Sequence, residues 1–406
     1  MVAAEIGRGL LTALSEDRVA SLRQDTPGCA TRVHLNNAGS SLTARPVADA
    51  VFRHLQRELE VGGYEAAEEA EERIQGSYGH LARILGTAPR NVAVVENATV
   101  AFSQALAAFD FAPGDVLVTT LNDYTSNQIM YGALARRRGL EVLYTEELPE
   151  GGFDPDSLRD LARHPRCRLV AVTWVPTNSG LVQDAEAAGA VCEELGVPYL
   201  VDACQAVGQI PVDVSRLRCD YLAGTARKFL RGPRGLGFLY VSDRALERGD
   251  YPIGIDMRGA ERTGDGLGFT LVQGARRFEN WEFPYALVLG MGEAARYALE
   301  VGIGEGGARA AELAAYAREK LGSLPGVEVK DRGRRLCAIA TAEVSGWNVP
   351  EVVHRLRESG VNTSASTAED GCQTPVIRVS PHYYNLREEV DALAAALMEL
   401  LRKGRD

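Results

Sequence analysis

The chain has 406 residues, 46% of them hydrophobic and 24% charged, which is enough apolar surface for a sizeable core and a length that predicts more than one domain. Its 44 basic and 55 acidic residues leave a net charge of −11, arguing against non-specific attraction to nucleic acid or anionic membranes. No apolar run reaches the roughly 18 residues of a membrane-spanning helix, and the short apolar stretch at 9–14, following Glu5, makes a poor secretion signal. Seven scattered cysteines with no close pair fit a reducing cytoplasm, and no Cys/His spacing resembles a metal site.

In chain order, Pro46 to about Gly62 is periodic and helical, with the proline suited to a first turn. A second helix is predicted over 65–85, with Ile74, Tyr78, Leu81 and Ile84 on its apolar face. Strands are predicted at 91–95, 115–119, 141–144, 169–173 and 199–202, then around Tyr221 and at 235–241, with helices between most of them. Asp184 reads as the N-cap of the helix over 184–195. Valine- and leucine-rich strands separated by helices predict an α/β fold with a mostly parallel sheet covered on both faces. Ligands of such sheets bind beyond the carboxyl ends of the strands. Near residue 290 the pattern changes to long alanine-rich helices, at 286–301 and 307–321. Strands at 327–329, 336–340 and 376–379 then interleave with helices at 349–359 and 386–401. The expected layout is an N-terminal segment over 1–44, a large domain over 45–288 and a smaller α+β domain over 289–406.

The chemistry gathers at the predicted strand ends. Of only four lysines, Lys228 alone sits in an apolar, glycine-bounded stretch, while Lys320, Lys330 and Lys403 have charged surroundings. Either it is an ordinary surface lysine or it does amine chemistry that forty arginines cannot, such as forming a Schiff base after losing its proton. Asp202 ends an apolar strand 26 residues earlier, where a carboxylate caps a helix, holds a metal, or keeps a ring nitrogen protonated. Ala98 and Thr99 stand where a helix begins after a strand. There Thr99 is either the N-cap or part of a phosphate cradle, with Thr225 and Arg227 adding a hydroxyl and a cation. Tyr124 either stacks on a flat ring or packs within its loop. Arg378, between Ile377 and Val379 in a strand, needs a partner. Gly235-Leu-Gly237 does not begin a dinucleotide fingerprint, because Tyr240 takes the third glycine position and the stretch opens a strand.

Four segments carry a family resemblance: Asp202-Ala-Cys-Gln205; Thr225-Ala-Arg-Lys228 with Gly232-Pro-Arg-Gly-Leu-Gly237; Arg276-Arg-Phe-Glu-Asn280; and Arg378-Val-Ser-Pro-His-Tyr-Tyr-Asn385. In that order the chain resembles the class V aminotransferase group of fold-type I pyridoxal-phosphate enzymes, which includes cysteine desulfurases, epimerases and C–S lyases. The resemblance implies pyridoxal 5'-phosphate as cofactor, with Lys228 as its Schiff-base lysine. Asp202 would partner the ring nitrogen and Gln205 the phenolic oxygen. Ala98, Thr99, Thr225 and Arg227 would hold the phosphate, and Tyr124 would stack where desulfurases commonly place a histidine. Arg378 would bind the substrate carboxylate, with Asn37 and Ala38 in the segment closing over it and Thr177 and Asn178 nearby. Phe278 to Trp281 would approach the neighbouring site of a homodimer.

Two departures bear on the reaction: Tyr124 stands in place of that histidine, and the loop before Arg378 differs. The loop where desulfurases carry their persulfide-accepting cysteine reads Asn362-Thr-Ser-Ala-Ser-Thr here, and Cys372 lies only six residues before Arg378. The expected activity is therefore β-elimination from an S-substituted cysteine or its sulfoxide. Desulfuration, epimerisation, transamination and decarboxylation with oxidative deamination remain open on the same residues, and the substrate itself is not legible.

Overall fold

The computed structural model describes residues 14–264, 266–368 and 373–404. Seven strands form the main sheet: β1 (Val92–Val95), β2 (Val116–Thr119), β3 (Glu141–Tyr144), β4 (Cys167–Thr173), β5 (Tyr199–Asp202), β6 (Tyr221–Thr225) and β7 (Gly237–Val241). Their order across the sheet is β1-β7-β6-β5-β4-β2-β3. β7 runs antiparallel to both neighbours, and every other pairing is parallel. Six strands therefore point the same way, and their carboxyl ends share one edge with the amino end of β7. β1, β2, β5, β6 and β7 are buried on both faces, which is why they read as continuous apolar runs rather than alternating ones. Local chemistry sets the helix ends: Asp184 accepts from the Ala187 amide at one terminus, and left-handed Gly86, Gly139 and Gly196 close others.

A second, four-stranded sheet follows: β8 (Val327–Val329), β9 (Ala340–Val344), β10 (Ser364–Thr367) and β11 (Pro375–Val379), ordered β8-β9-β11-β10 and wholly antiparallel. Helices Ile303–Gly322, Val349–Glu358 and Arg387–Lys403 contribute side chains to the same apolar core as these strands. The helix Tyr285–Val301 instead packs against Arg45–Val61 and Glu71–Leu85.

Four expectations are corrected. The helix expected over 65–85 is two, Gly63–Glu69 and Glu71–Leu85. The strand expected at 336–340 begins only at Ala340, because Cys337 N donates to Gly180 O and Ala338 N to Gln209 Oε1, both in the other half of the molecule. Ser364–Thr367 forms a strand although its polar residues carry no apolar alternation. A hairpin also pairs Ala260–Arg262 with Phe269–Leu271, where no element was expected.

The N-terminal segment is stitched to the C-terminal part. Val33–His34 pairs in parallel with Val361–Asn362, and Asn36 bridges Ser380. Beneath this seam lies Arg231, fully buried and in the left-handed region at φ 63°. Among the described residues no carboxylate pairs with it. It donates to Leu42 O (2.9 Å), Tyr383 Oη (2.7 Å) and Thr26 Oγ1 (2.7 Å), and its guanidinium lies 4.5 Å from the Tyr384 ring centre. Hydrogen bonds and aromatic faces thus stabilise the charge.

His382, in the same seam, is held neutral. Its Nε2 donates to Phe229 O (3.0 Å) while its Nδ1 accepts from Tyr383 N (2.8 Å), so a second proton would displace the latter bond. Burial, with Arg231 adding repulsion, lowers its pKa from 6.5 to about 3. The unfolded chain takes up this proton first, so stability is intact above pH 6.5 and falls as pH drops toward 3. Urea titrations should show a shallower loss of stability just below pH 6.5 for His382→Gln than for the wild type; equal slopes would contradict the neutral assignment.

Candidate active site

The shared strand edge opens into a cleft of about 560 Å³. Its walls come from the loops after β1 (Asn97 to Val100), β2 (Tyr124), β4 (Val175, Thr177), β5 (Asp202 to Gln205) and β6 (Thr225 to Lys228), and from Arg234 to Leu236 before β7. Segments more than a hundred residues apart thus converge because parallel strands deliver their ends to one side.

At one end, Asn97 caps the helix Ala98–Leu106, its side chain accepting from Val100 N at 3.0 Å. The cap is therefore Asn97, and Thr99 stands in the first turn with its side chain free for a ligand. The first-turn amides have no partner within the helix and carry the positive end of its dipole. Gly237 lets β7 approach closely, since a Cβ there would lie 2.6 Å from Ala98 N. Thr225, Arg227 and Arg234 line the same region.

At the opposite end Asp202 is buried, its Oδ1 accepting from Cys204 N (2.9 Å) and its Oδ2 from Asn127 Nδ2 (3.0 Å). Lys228 is also buried and makes no ion pair among the described residues. Its pKa is lowered mainly by loss of hydration. Arg227 and Arg378 add repulsion, while Asp202 opposes the shift. Burial, rather than the adjacent Arg227, is the larger cause.

Thr177 joins Arg378 to Gln205. Its Oγ1 accepts from Arg378 Nη1 (2.8 Å) and from Gln205 Nε2 (2.9 Å), so its own proton is free to point elsewhere. Arg378 Nη1 also donates to Thr177 O at 2.7 Å, and Nη2 lies 3.4 Å from Asn36 Oδ1. Two buried polar atoms here lack partners: Arg378 Nε, a donor, and Gln205 Oε1, an acceptor. Burial and the nearby Arg227 lower the Arg378 pKa to about 10.

Other predicted residues lie differently. Asn37 is fully buried, its amide donating to Ser380 O (2.7 Å) and its oxygen accepting from Tyr384, so it anchors the segment while Asn36 faces Arg378. Ala38 contributes backbone: its carbonyl accepts from Gln205 Nε2 at 3.1 Å. Arg227 donates to Gly39 O. Tyr124 lines the cleft and remains partly exposed. Phe278 is buried in its own chain and Glu279 accepts from Tyr78 and Val94 N, so within that segment Trp281 is the large exposed side chain. Cys372 lies outside the described residues. The sequence assigned no individual role to Asn36, Arg234, Asn127 or Asp123. Asp123 lies just before the N-cap Tyr124 of the helix Thr125–Arg138 and Asn127 in its first turn, and the two meet through Asn127 Nδ2 donating to Asp123 Oδ1 at 2.9 Å.

A base whose pKa falls on folding weakens the fold below that lowered value and ceases to matter above 10.5. Ligand-free Lys228→Met should therefore melt above the wild type at neutral pH, with the gap narrowing as pH rises toward 10.5. Calorimetry reads this directly; a variant melting below the wild type at neutral pH would contradict it.

With the geometry described, comparison with known proteins is direct. Residues 33–393 match the aminotransferase class-V family model. A probable cysteine desulfurase of Methanothermobacter thermautotrophicus is 25% identical over 95% of this chain and 99% of its own length. Isopenicillin N epimerase of Streptomyces clavuligerus is 32% identical over 78% of this chain and 82% of its own. Among solved structures, apo cysteine desulfurase from Thermococcus onnurineus NA1 superposes with a TM-score of 0.85 at 22% identity, covering 95% of this chain and 98% of that one. The cystine C–S lyase C-DES, in complex with its product cysteine persulfide, superposes at 0.84 with 24% identity, covering 92% and 99%. The chain is therefore an enzyme of the aminotransferase class-V family, a cysteine desulfurase-like member whose cofactor is pyridoxal 5'-phosphate.

Proposed function

We propose that this enzyme is a carbon–sulfur lyase that eliminates sulfur from the β-carbon of an S-substituted cysteine or its sulfoxide. The observation that carries the reading is the pairing of a buried amine and guanidinium at the cleft with no reactive thiol among the described residues. Among the described cysteines only Cys204 lines the cleft, and burial, reinforced by Asp202, holds its thiol well above the usual pKa. A persulfide-accepting desulfurase needs a thiolate.

The cleft suits the family's cofactor. Lys228, Arg227 and Arg234 line the cleft and Arg378 bonds to Thr177 on its wall; none has an ion pair among the described residues, so an anionic occupant would neutralise them. The two orphaned atoms of Arg378 and Gln205 supply a donor and an acceptor. Pyridoxal phosphate, when bound, supplies an aldehyde for amines and a ring that stores charge from the substrate α-carbon. The helix start at Ala98 and Thr99 would seat its phosphate with Thr225 and Arg227. Asp202 would hold a proton on the ring nitrogen, Gln205 would meet the phenolic oxygen, and Tyr124 would cover one ring face. Arg378 would bind the substrate carboxylate through Nε and Nη2, while Ala38 helps carry the segment beside it. Lys228, poised toward its neutral form, would take the α-proton, after which the sulfur departs with its bonding electrons.

We further propose a homodimer, supported by exposed apolar side chains at Leu121, Ile129, Ile253, Met257, Leu267 and Trp281. The two sheets lie within the proposed 45–288 and 289–406 domains, and residues 33–36 join the 1–44 segment to the latter. A cytoplasmic location is consistent with the free cysteines, and no described helix is long and apolar enough to cross a membrane.

Purified enzyme given S-alkylcysteines should release pyruvate and thiol in equal amounts. Alanine with persulfide would instead support a desulfurase, as the relatives' names favour, and recovery of only the mirror-image amino acid would support an epimerase. Lys228→Ala should lose the visible cofactor band and slow turnover by about 10²–10⁴-fold. Arg378→Lys should chiefly raise KM, by roughly tenfold or more, since ammonium lacks the bidentate fork.

A further inference from the structure

Behind Asp202 stands a second carboxylate that the proposed reaction does not use. Asn127, buried, has two amide hydrogens: one goes to Asp202 Oδ2 (3.0 Å) and the other to Asp123 Oδ1 (2.9 Å). Asp123 is itself surrounded by donors. Oδ1 also accepts from Thr173 Oγ1 (2.5 Å) and Tyr124 N (2.6 Å), and Oδ2 from Tyr131 Oη (2.9 Å) and Thr119 Oγ1 (3.1 Å). Five donors on one carboxyl group suit its ionised form, because a protonated carboxyl would force one of them to turn away. Burial and the proximity of Asp202 press in the other direction and raise the Asp123 pKa. Two like charges share this poorly hydrated space, bridged by one amide, while the positive groups of the cleft lie beyond Asp202. A structural carboxylate would more simply be replaced by an apolar residue, since burying like charges together is costly.

We propose that Asp123 is a positioning residue for Asp202: through Asn127 it fixes the orientation of the Asp202 carboxylate and sets a second negative charge behind it, strengthening the hold on the proton of the cofactor's ring nitrogen. The inference rests on the reading of the cleft as a pyridoxal-phosphate site. Asp123 touches neither substrate nor cofactor, and acts through a chain of two hydrogen bonds.

The test uses the holoenzyme loaded with pyridoxal phosphate labelled with ¹⁵N in the ring, reading the nitrogen resonance and the cofactor dissociation constant. Asp123→Asn should move the resonance toward the unprotonated position and weaken cofactor retention by about tenfold. Asp123→Glu should recover much of both, and Asn127→Ala should act in the same direction. The double variant should be no worse than the more damaging single, because both cut one chain. If Asp123→Asn does not fold, Thr173→Val, which removes one donor, should shift the resonance in the same direction but less. Wild-type resonance and affinity in the foldable variant, or losses that multiply in the double variant, would overturn the inference while leaving the proposed function intact. Failure of the wild type to take up the cofactor would overturn both.

Discussion

The arrangement depends on gathering positive charge that no ion pair among the described residues neutralises. Lys228, Arg227 and Arg234 line one cleft with Arg378 bonded to Thr177 on its wall, and the carboxylates that line it, Asp202 and Glu96, form an ion pair with none of them. Such a cluster costs stability in the empty protein, and only a surrounding structure that over-determines it keeps it together. The seven-stranded sheet provides that determination. Its buried strands are rigid rods whose ends cannot shift independently, so the loops they carry hold like charges at fixed positions.

The molecule handles buried cations in two ways, and the contrast separates scaffold from site. Arg231 has all its needs met internally, by three oxygens and tyrosine faces, and offers nothing to a ligand. Arg378 is equally enclosed but keeps its Nε unpaired, and Thr177 uses its acceptor capacity on protein donors while keeping its own proton available. The unmet atoms, rather than the charges themselves, mark where an outside molecule belongs.

Much of this was legible from sequence, for physical reasons that also explain the gaps. Doubly buried strands write continuous valine and leucine runs, so β1, β2 and β5 to β7 were visible, and a lysine isolated among arginines drew attention to β6 and its loop. The strand Ser364–Thr367 was not, because its pairing is set by the neighbouring β11 and its polar residues carry no period. Asn36 and Asn37 were indistinguishable by type. Which one faces the cleft follows from the bridge to Ser380, a contact between residues 344 positions apart that no local pattern encodes. Asp123 was passed over for a related reason: its significance comes from Asn127 turning toward a strand end 75 residues away.

The seam between residues 33–36 and the strands near residues 361 and 380 also bears on how the protein is made. The large sheet is finished by residue 241, yet Asn36 cannot settle against Arg378 until that distant strand has left the ribosome. The nascent enzyme thus spends the time needed for more than a hundred further residues with the cleft wall at Ala98 and Thr225 formed and the Arg378 side missing. At roughly 5–20 residues per second this is an interval of several seconds or more. Capture of the ligand by the finished cleft is consequently a late event, and the long-range pairing that closes it makes this step slower than the folding of either half.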